Sequence, residues 1–258
     1  MRNNLLGLGV LGLALLLLLA SARKPNNNLE AETIAKAPIA ADSIYNSYIN
    51  TLYTDLHLKE SGLSLPVFEK ALTGFYNLKH LGQTSNKGIL SIADFDQLST
   101  KKRLYIIDLN KKVLLLNTWV AHGQNSGGNE ATQFSNTNNS FSSSLGFYVT
   151  GEVYSGIHGK SLKLDGMDEG FNSNARSRSI VVHGAPYVSN GTIKALGRLG
   201  RSQGCPAVAP ELADKVINTI EDKTVLFINK SAENYQSKYL NEALAASFAN
   251  ESHPMQMD

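Results

Sequence analysis

The sequence predicts an α+β protein, mainly β with helical additions. Apolar positions recur at helical spacing early in the chain, from Ile44 to Leu78. Two unbroken apolar runs then follow, joined by three polar residues in the manner of a hairpin. Short β-branched and aromatic runs continue to Ile228, interrupted by one amphipathic stretch of helical period.

Taken in order, Arg2 precedes an apolar run from Leu5 to Ala20, and Ala20-Ser21-Ala22 has the small residues of a cleavage site. Residues 1–22 therefore read as an export signal. An uncleaved anchor is the alternative; membrane contact is expected only through this segment. No cysteine lies near residue 20 to carry a lipid. Residues 23–42, rich in Asn, Ala, Pro and Lys, read as a flexible linker.

A helical N-terminal subdomain is expected over residues 43–98. Ile44, Tyr48, Leu52 and Leu56 define one helix, and Val67, Phe68, Ala71, Leu72, Phe75 and Leu78 a second, with a break near Ser61-Gly62. A catalytic domain is expected over residues 99–230. Leu104–Leu109 and Val113–Val120, joined by Asn110-Lys111-Lys112, form its hairpin. Residues 123–144 are mostly Gly, Ser, Asn and Thr, too polar to bury and long enough for a binding or lid role. Phe147–Val149, Ile180–His183 and Val225–Ile228 are further strands, and Glu211–Ile220, opened by Pro210, is a helix. Residues 231–258 read as a polar, poorly ordered tail.

An apolar content of 42% against 18% charge gives the chain enough to bury, so it folds around a substantial core. Lys plus Arg total 24 against 22 acidic residues, a net charge of +2, and the only basic clusters are Lys101-Lys102-Arg103 and four scattered arginines. Nucleic acid is not an expected partner, because it calls for a dense basic stripe. The single cysteine, Cys205, forbids an intramolecular disulfide.

Two segments bring chemistry together. Ile180-Val181-Val182-His183-Gly184 ends a buried strand in an imidazole beside a glycine, and Gly197–Val208 is a glycine-rich loop delivering Cys205 just ahead of a helix. A free thiol is only a few per cent ionised at neutral pH, so a catalytic cysteine needs a base, and His183 can supply it. Gly204 would let a substrate carbonyl approach, and backbone amides around Gly204 and Cys205 would face the oxyanion. Arg201, Arg198 or Arg178 would hold a carboxylate.

With these residues in place, "IVVHGAPYVS" and "GRLGRSQGCPAV" resemble the paired histidine and S-x-G-C signatures of the YkuD-type L,D-transpeptidases. "VAHGQNSG", "DFDQLSTKKRLYIIDL" and "FSNTNNSFSSSLGFYVTGEVYSGIHGKSLKLDGMDEGFN" are similar to the murein branch of that family. The likeness runs from about Tyr45 to about Asn229. It implies a YkuD-like β-sandwich or barrel and a cysteine acyltransferase acting on peptidoglycan stem peptides in the periplasm or cell envelope. Cys205 and His183 would be the catalytic pair, and Ser202, Gln203 and Gly204 the oxyanion loop. Carbapenems would acylate such a thiol; no cofactor is implied. The best-known branch carries a His where Gln203 stands and an Arg or Asn after the cysteine, where this chain has Pro206-Ala207. The role of that Arg then falls to Arg201 or Arg178. The group orienting the histidine would be a backbone carbonyl.

His122 and His158 are each followed by glycine too, and either is an alternative base. His183 is preferred because it lies 22 residues before Cys205 on the strongest strand. His122, His158, Gly184 and Tyr148 join the arginines as substrate-binding candidates. Zinc is not expected, since the histidines show no ligand spacing and no second cysteine exists. Asp165, Asp168 and Glu169 read as a solvated turn. Beside the transpeptidase stand three alternatives: a carboxypeptidase using water, a silent wall-binding module and an unrelated cysteine hydrolase.

Overall fold

The computed structural model describes residues 43–231 and 234–252. The export signal and the linker lie outside the described residues. The early helical spacing corresponds to α1 (residues 43–55) and α2 (Leu65–His80). Between them His57 and Gly62 take positive φ, and Pro66 sits in the first turn of α2, where its missing N–H costs no hydrogen bond.

Eight strands follow: β1 (Ile89–Asp94), β2 (Leu104–Asp108), β3 (Val113–Thr118), β4 (Gly146–Gly156), β5 (Gly159–Gly166), β6 (Val181–Gly184), β7 (Ala207–Val208) and β8 (Val225–Asn229). They form one sheet in the order β3-β2-β1-β8-β4-β5-β6-β7, with β1/β8 and β6/β7 parallel. Just past β3 the chain reaches the opposite edge, where Ala121 bridges Ala207 and Gly123 bridges Ser202. The sheet thereby curls toward closure, which hides edges that would otherwise pair with other chains.

Both faces of the sheet's central strands are buried. Along β4 and β8, Phe147, Val149, Val225 and Phe227 point to the cluster shared with α1 and α2, while Tyr148, Leu226 and Ile228 point to the cluster shared with α4 (Pro210–Ile220). The period of two thus feeds two cores at once. Phe147 stacks on Phe227 with centroids 4.4 Å apart. It also lies against Gly74 of α2, where a Cβ would sit 2.0 Å from the Phe147 ring; only glycine lets the helix come this close.

β1, β5 and α3 (Asn190–Leu196) were not expected. β5 hides its apolar residues, Leu162 and Leu164, among glycines and lysines. The expectation of a poorly ordered tail is corrected for its described part. Tyr239, Ala245, Ala246 and Ala249 are buried, α5 (Glu242–Ser252) packs on α2, and Asn77 Nδ2 donates to Tyr239 O at 2.7 Å. Asp168 is likewise not a solvated residue but is 3% exposed. Its carboxylate accepts from the Phe147 amide and the Tyr235 and Ser237 hydroxyls, which fastens the tail to β4.

Candidate active site

The site grows out of β6 and its neighbours. Val181 and Val182 are buried, and His183 pairs with Ser161 on β5 and Ala207 on β7. Because β7 runs parallel to β6, the loop that precedes it arrives beside residues 179–181. There the Cys205 sulfur lies 3.7 Å from the Ser179 carbonyl oxygen.

Cys205 and His183 both line a cleft of about 700 Å³. The His183 Nδ1 is 3.0 Å from the Gly184 carbonyl oxygen, which can only accept. Nδ1 therefore carries the proton and Nε2 keeps its lone pair, the tautomer a general base requires. Burial pushes the imidazole below its ordinary pKa; the Gly184 carbonyl opposes this and the His158 charge reinforces it. Burial also pushes the Cys205 thiol up, against the Val181 amide and the Arg178 guanidinium. Both shifts favour the neutral form of their group.

The loop that presents Cys205 is wound around one hydroxyl. Ser202 Oγ donates to Cys205 O at 2.6 Å and accepts from the Gly204 amide at 3.0 Å. That corrects two expectations. The Gly204 amide is already occupied, whereas among the described residues the amides of Gln203 and Cys205 have no protein acceptor. Nor does Gly204 make room for substrate, since a Cβ there would meet Ser142 O at 2.7 Å. With φ at +120° and that contact, the glycine is demanded by the protein's own polar loop.

Arg178 organises the same polar loop. Its Nη1 donates to Ser135 O and Ser144 Oγ, and its Nη2 to Ser140 Oγ and Ser142 O. With both terminal nitrogens occupied, Arg178 cannot offer a fork to a carboxylate, but its charge lies near the sulfur. Arg201 lines the cleft with only Nη1 engaged, to Gln124 O and Gly127 O. It retains donors for an anionic ligand.

His158 reaches the cleft from the β4–β5 turn, its ring stacked on His183 with centroids 4.3 Å apart. Gln203 lines the cleft and is exposed. Three sequence candidates lie elsewhere. His122 is 1% exposed, held by Arg103 Nη2 at 2.7 Å from its Nδ1. A guanidinium only donates, so this imidazole has the opposite tautomer, and burial followed by the Arg103 charge pushes its pKa down to about 4. Tyr148 is fully buried with its hydroxyl on Ser144. Gly184 packs on Pro210 and Ala213 of α4. Missing from the sequence reading was Tyr187, four residues past His183, which lines the cleft and whose hydroxyl is pushed up to about 12 by burial and the Cys205 charge. Among the described residues no three His, Cys, Asp or Glu side chains cluster to hold a metal ion.

Residues 59–229 match the family described as L,D-transpeptidase catalytic domain. Among solved structures, the chain is similar to an L,D-transpeptidase from Mycobacterium tuberculosis H37Rv at 15% identity and TM-score 0.34, over 56% of this chain and 58% of that one. It is also similar to the helical cell shape determining protein Pgp2 from Campylobacter jejuni, at 14% identity and TM-score 0.38, over 70% and 64%. A third is the LD transpeptidase LdtMt1 in complex with imipenem, at 10% identity and TM-score 0.35, over 55% and 59%. The similarity thus spans about three fifths of the length of each of these structures. A comparison with curated proteins returns no match. With its family match covering two thirds of the sequence and its Cys, His and S-x-G-C elements meeting at one cleft, the chain belongs to the L,D-transpeptidase catalytic domain family.

Proposed function

We propose that the chain is an exported L,D-transpeptidase of the cell envelope, with Cys205 as nucleophile and His183 as acid-base partner. The observation that carries this reading is the convergence of an accessible thiol and a correctly tautomerised imidazole on one cleft. His183 Nε2 takes the thiol proton as the sulfur attacks the carbonyl carbon preceding the terminal D-amino acid of a tetrapeptide stem. The oxyanion that forms accepts from the amides of Cys205 and Gln203. His183 returns the proton to the leaving amine, the carbon–nitrogen bond breaks, and a thioester remains on Cys205. An amine of a second stem then takes the acyl group and yields a cross-link; water instead yields a shortened stem, the carboxypeptidase outcome.

Arg201 supports an anionic substrate, since its free donors face the cleft and stem peptides carry carboxylates. Mass analysis of stem peptides incubated with the purified protein tests the proposal. Release of the terminal D-amino acid is expected from the native protein and not from Cys205→Ala; product formation unchanged by that substitution overturns it. Cross-linked against shortened products then distinguish the two acceptors.

A further inference from the structure

Resting on the transpeptidase reading, we propose that His158 is a positioning residue for the base, its imidazole holding the His183 ring face to face at the angle that proton transfer from Cys205 requires. The arm that carries it is built for that reach. β4 and β5 pair from Tyr148↔Gly166 out to Gly156↔Gly159, with a register irregularity between Thr150 and Val153 that increases the local twist. Ser161 on the same strand pairs with His183, so the base of the arm is fixed beside β6 and the turn at Ile157-His158 lies three to four residues further on. Ile157 and His158 both line the cleft and both are exposed, and the His158 ring stacks on His183 at 24° between ring planes.

One hydrogen bond, from Nδ1 to Gly184 O, fixes the tautomer of a ring that is 2% exposed but does not by itself remove its freedom to tilt. A second imidazole on its face removes that freedom, and small losses of alignment are expensive in proton transfer. The stack also has an electrical consequence. When His183 receives the Cys205 proton, a neutral ring on its face is attractive, while a charged one repels. The other ionisable groups lining the cleft are Tyr154 of β4, Arg178 ahead of β6, Tyr187 after it, and Arg201 and Cys205 on the loop before β7. On the α4 side β6 meets the uncharged Pro210 and Ala213, and Lys160 of β5 is engaged by Asn218.

Alkylation of the full chain by iodoacetamide, followed by intact mass, tests this without a peptidoglycan substrate, because Cys205 is the only thiol. The sulfur displaces iodide from the reagent's methylene carbon while His183 takes the thiol proton. His158→Ala is expected to slow the reaction at pH 7 by roughly tenfold. His158→Phe, which keeps a ring face, stays within about twofold of the native rate, and its acid limb moves to higher pH because a like charge near His183 is gone. Circular dichroism checks that each variant is folded. Native rates in His158→Ala, or a loss in His158→Phe equal to that in His158→Ala, overturn the positioning role while a slowed His183→Ala keeps the base assignment. A native rate in His183→Ala overturns the base assignment and with it the proposal.

Discussion

His122 and His183 look alike in the sequence, each an imidazole after an apolar stretch and before a glycine, yet the fold gives them opposite chemistry. His122 lies where the chain leaving β3 crosses to β7, sealed from solvent, with the Arg103 guanidinium on its Nδ1. Arg103 is itself fully buried, donates to Gln97 O and Val120 O, and lies over the Phe95 ring. His183 is no less buried, at 2% exposed, but it has a carbonyl on its Nδ1 and lines the cleft. The partner of one nitrogen limits the role of the other: a donor on Nδ1 leaves His122 as a structural strut, whereas an acceptor on Nδ1 leaves the Nε2 lone pair of His183 free for the proposed base role.

The comparison breaks most visibly in activity. His183→Ala is expected to lower the rate of acyl transfer by about 10³-fold, with the melting temperature nearly unchanged. A similar loss from a folded His122→Leu variant would erase the distinction.

Stability carries the next effect, with the opposite assignment. The unfolded chain protonates His122 near its ordinary value of 6.5, whereas the folded protein resists until about 4. The contribution is complete above pH 6.5 and is lost as pH falls through that window, about 3 kcal/mol in all. Urea midpoints measured between pH 7 and 4 should show this fall, and His122→Leu should flatten it. The same substitution strips Arg103 of one acceptor and should cost about 2 kcal/mol at pH 7.

Gly204→Ala probes the seam between the two regions. The positive φ and the Ser142 carbonyl predict a loss of about 2 kcal/mol in chemical denaturation, together with reduced acylation, because Cys205 follows directly. The smallest effect belongs to Arg201→Lys, which keeps the charge but not the fork. A rise in KM of about tenfold with little change in kcat is expected for a stem bearing a carboxylate.

The division between legible and hidden features follows the same physics. Strands β2, β6 and β8 were readable because burial on both faces leaves runs such as Leu104–Ile107 and Val225–Ile228 nearly unbroken, and β3 because its half-buried residues are still an apolar run. The β4–β5 arm was not, since beyond Tyr154 it is solvent-exposed and carries no apolar alternation. The burial of Asp168 was equally hidden: its partners Tyr235 and Ser237 lie 67 and 69 residues away. That Cys205 and His183 would line one cleft was readable from their glycine contexts, but the histidine's tautomer and the partners of both depend on which strand lies alongside. Arg103 reads as part of a basic cluster with Lys101 and Lys102, and the fold buries it where the chain leaving β3 crosses to β7.

The most direct measurement is the rate at which a carbapenem acylates the folded protein, followed by intact mass. One adduct is predicted, on Cys205, forming at least about 100-fold more slowly in His183→Ala and within a few-fold of the native rate in His122→Leu. An adduct that persists in Cys205→Ala, or a rate that collapses with His122 and not with His183, would contradict the account.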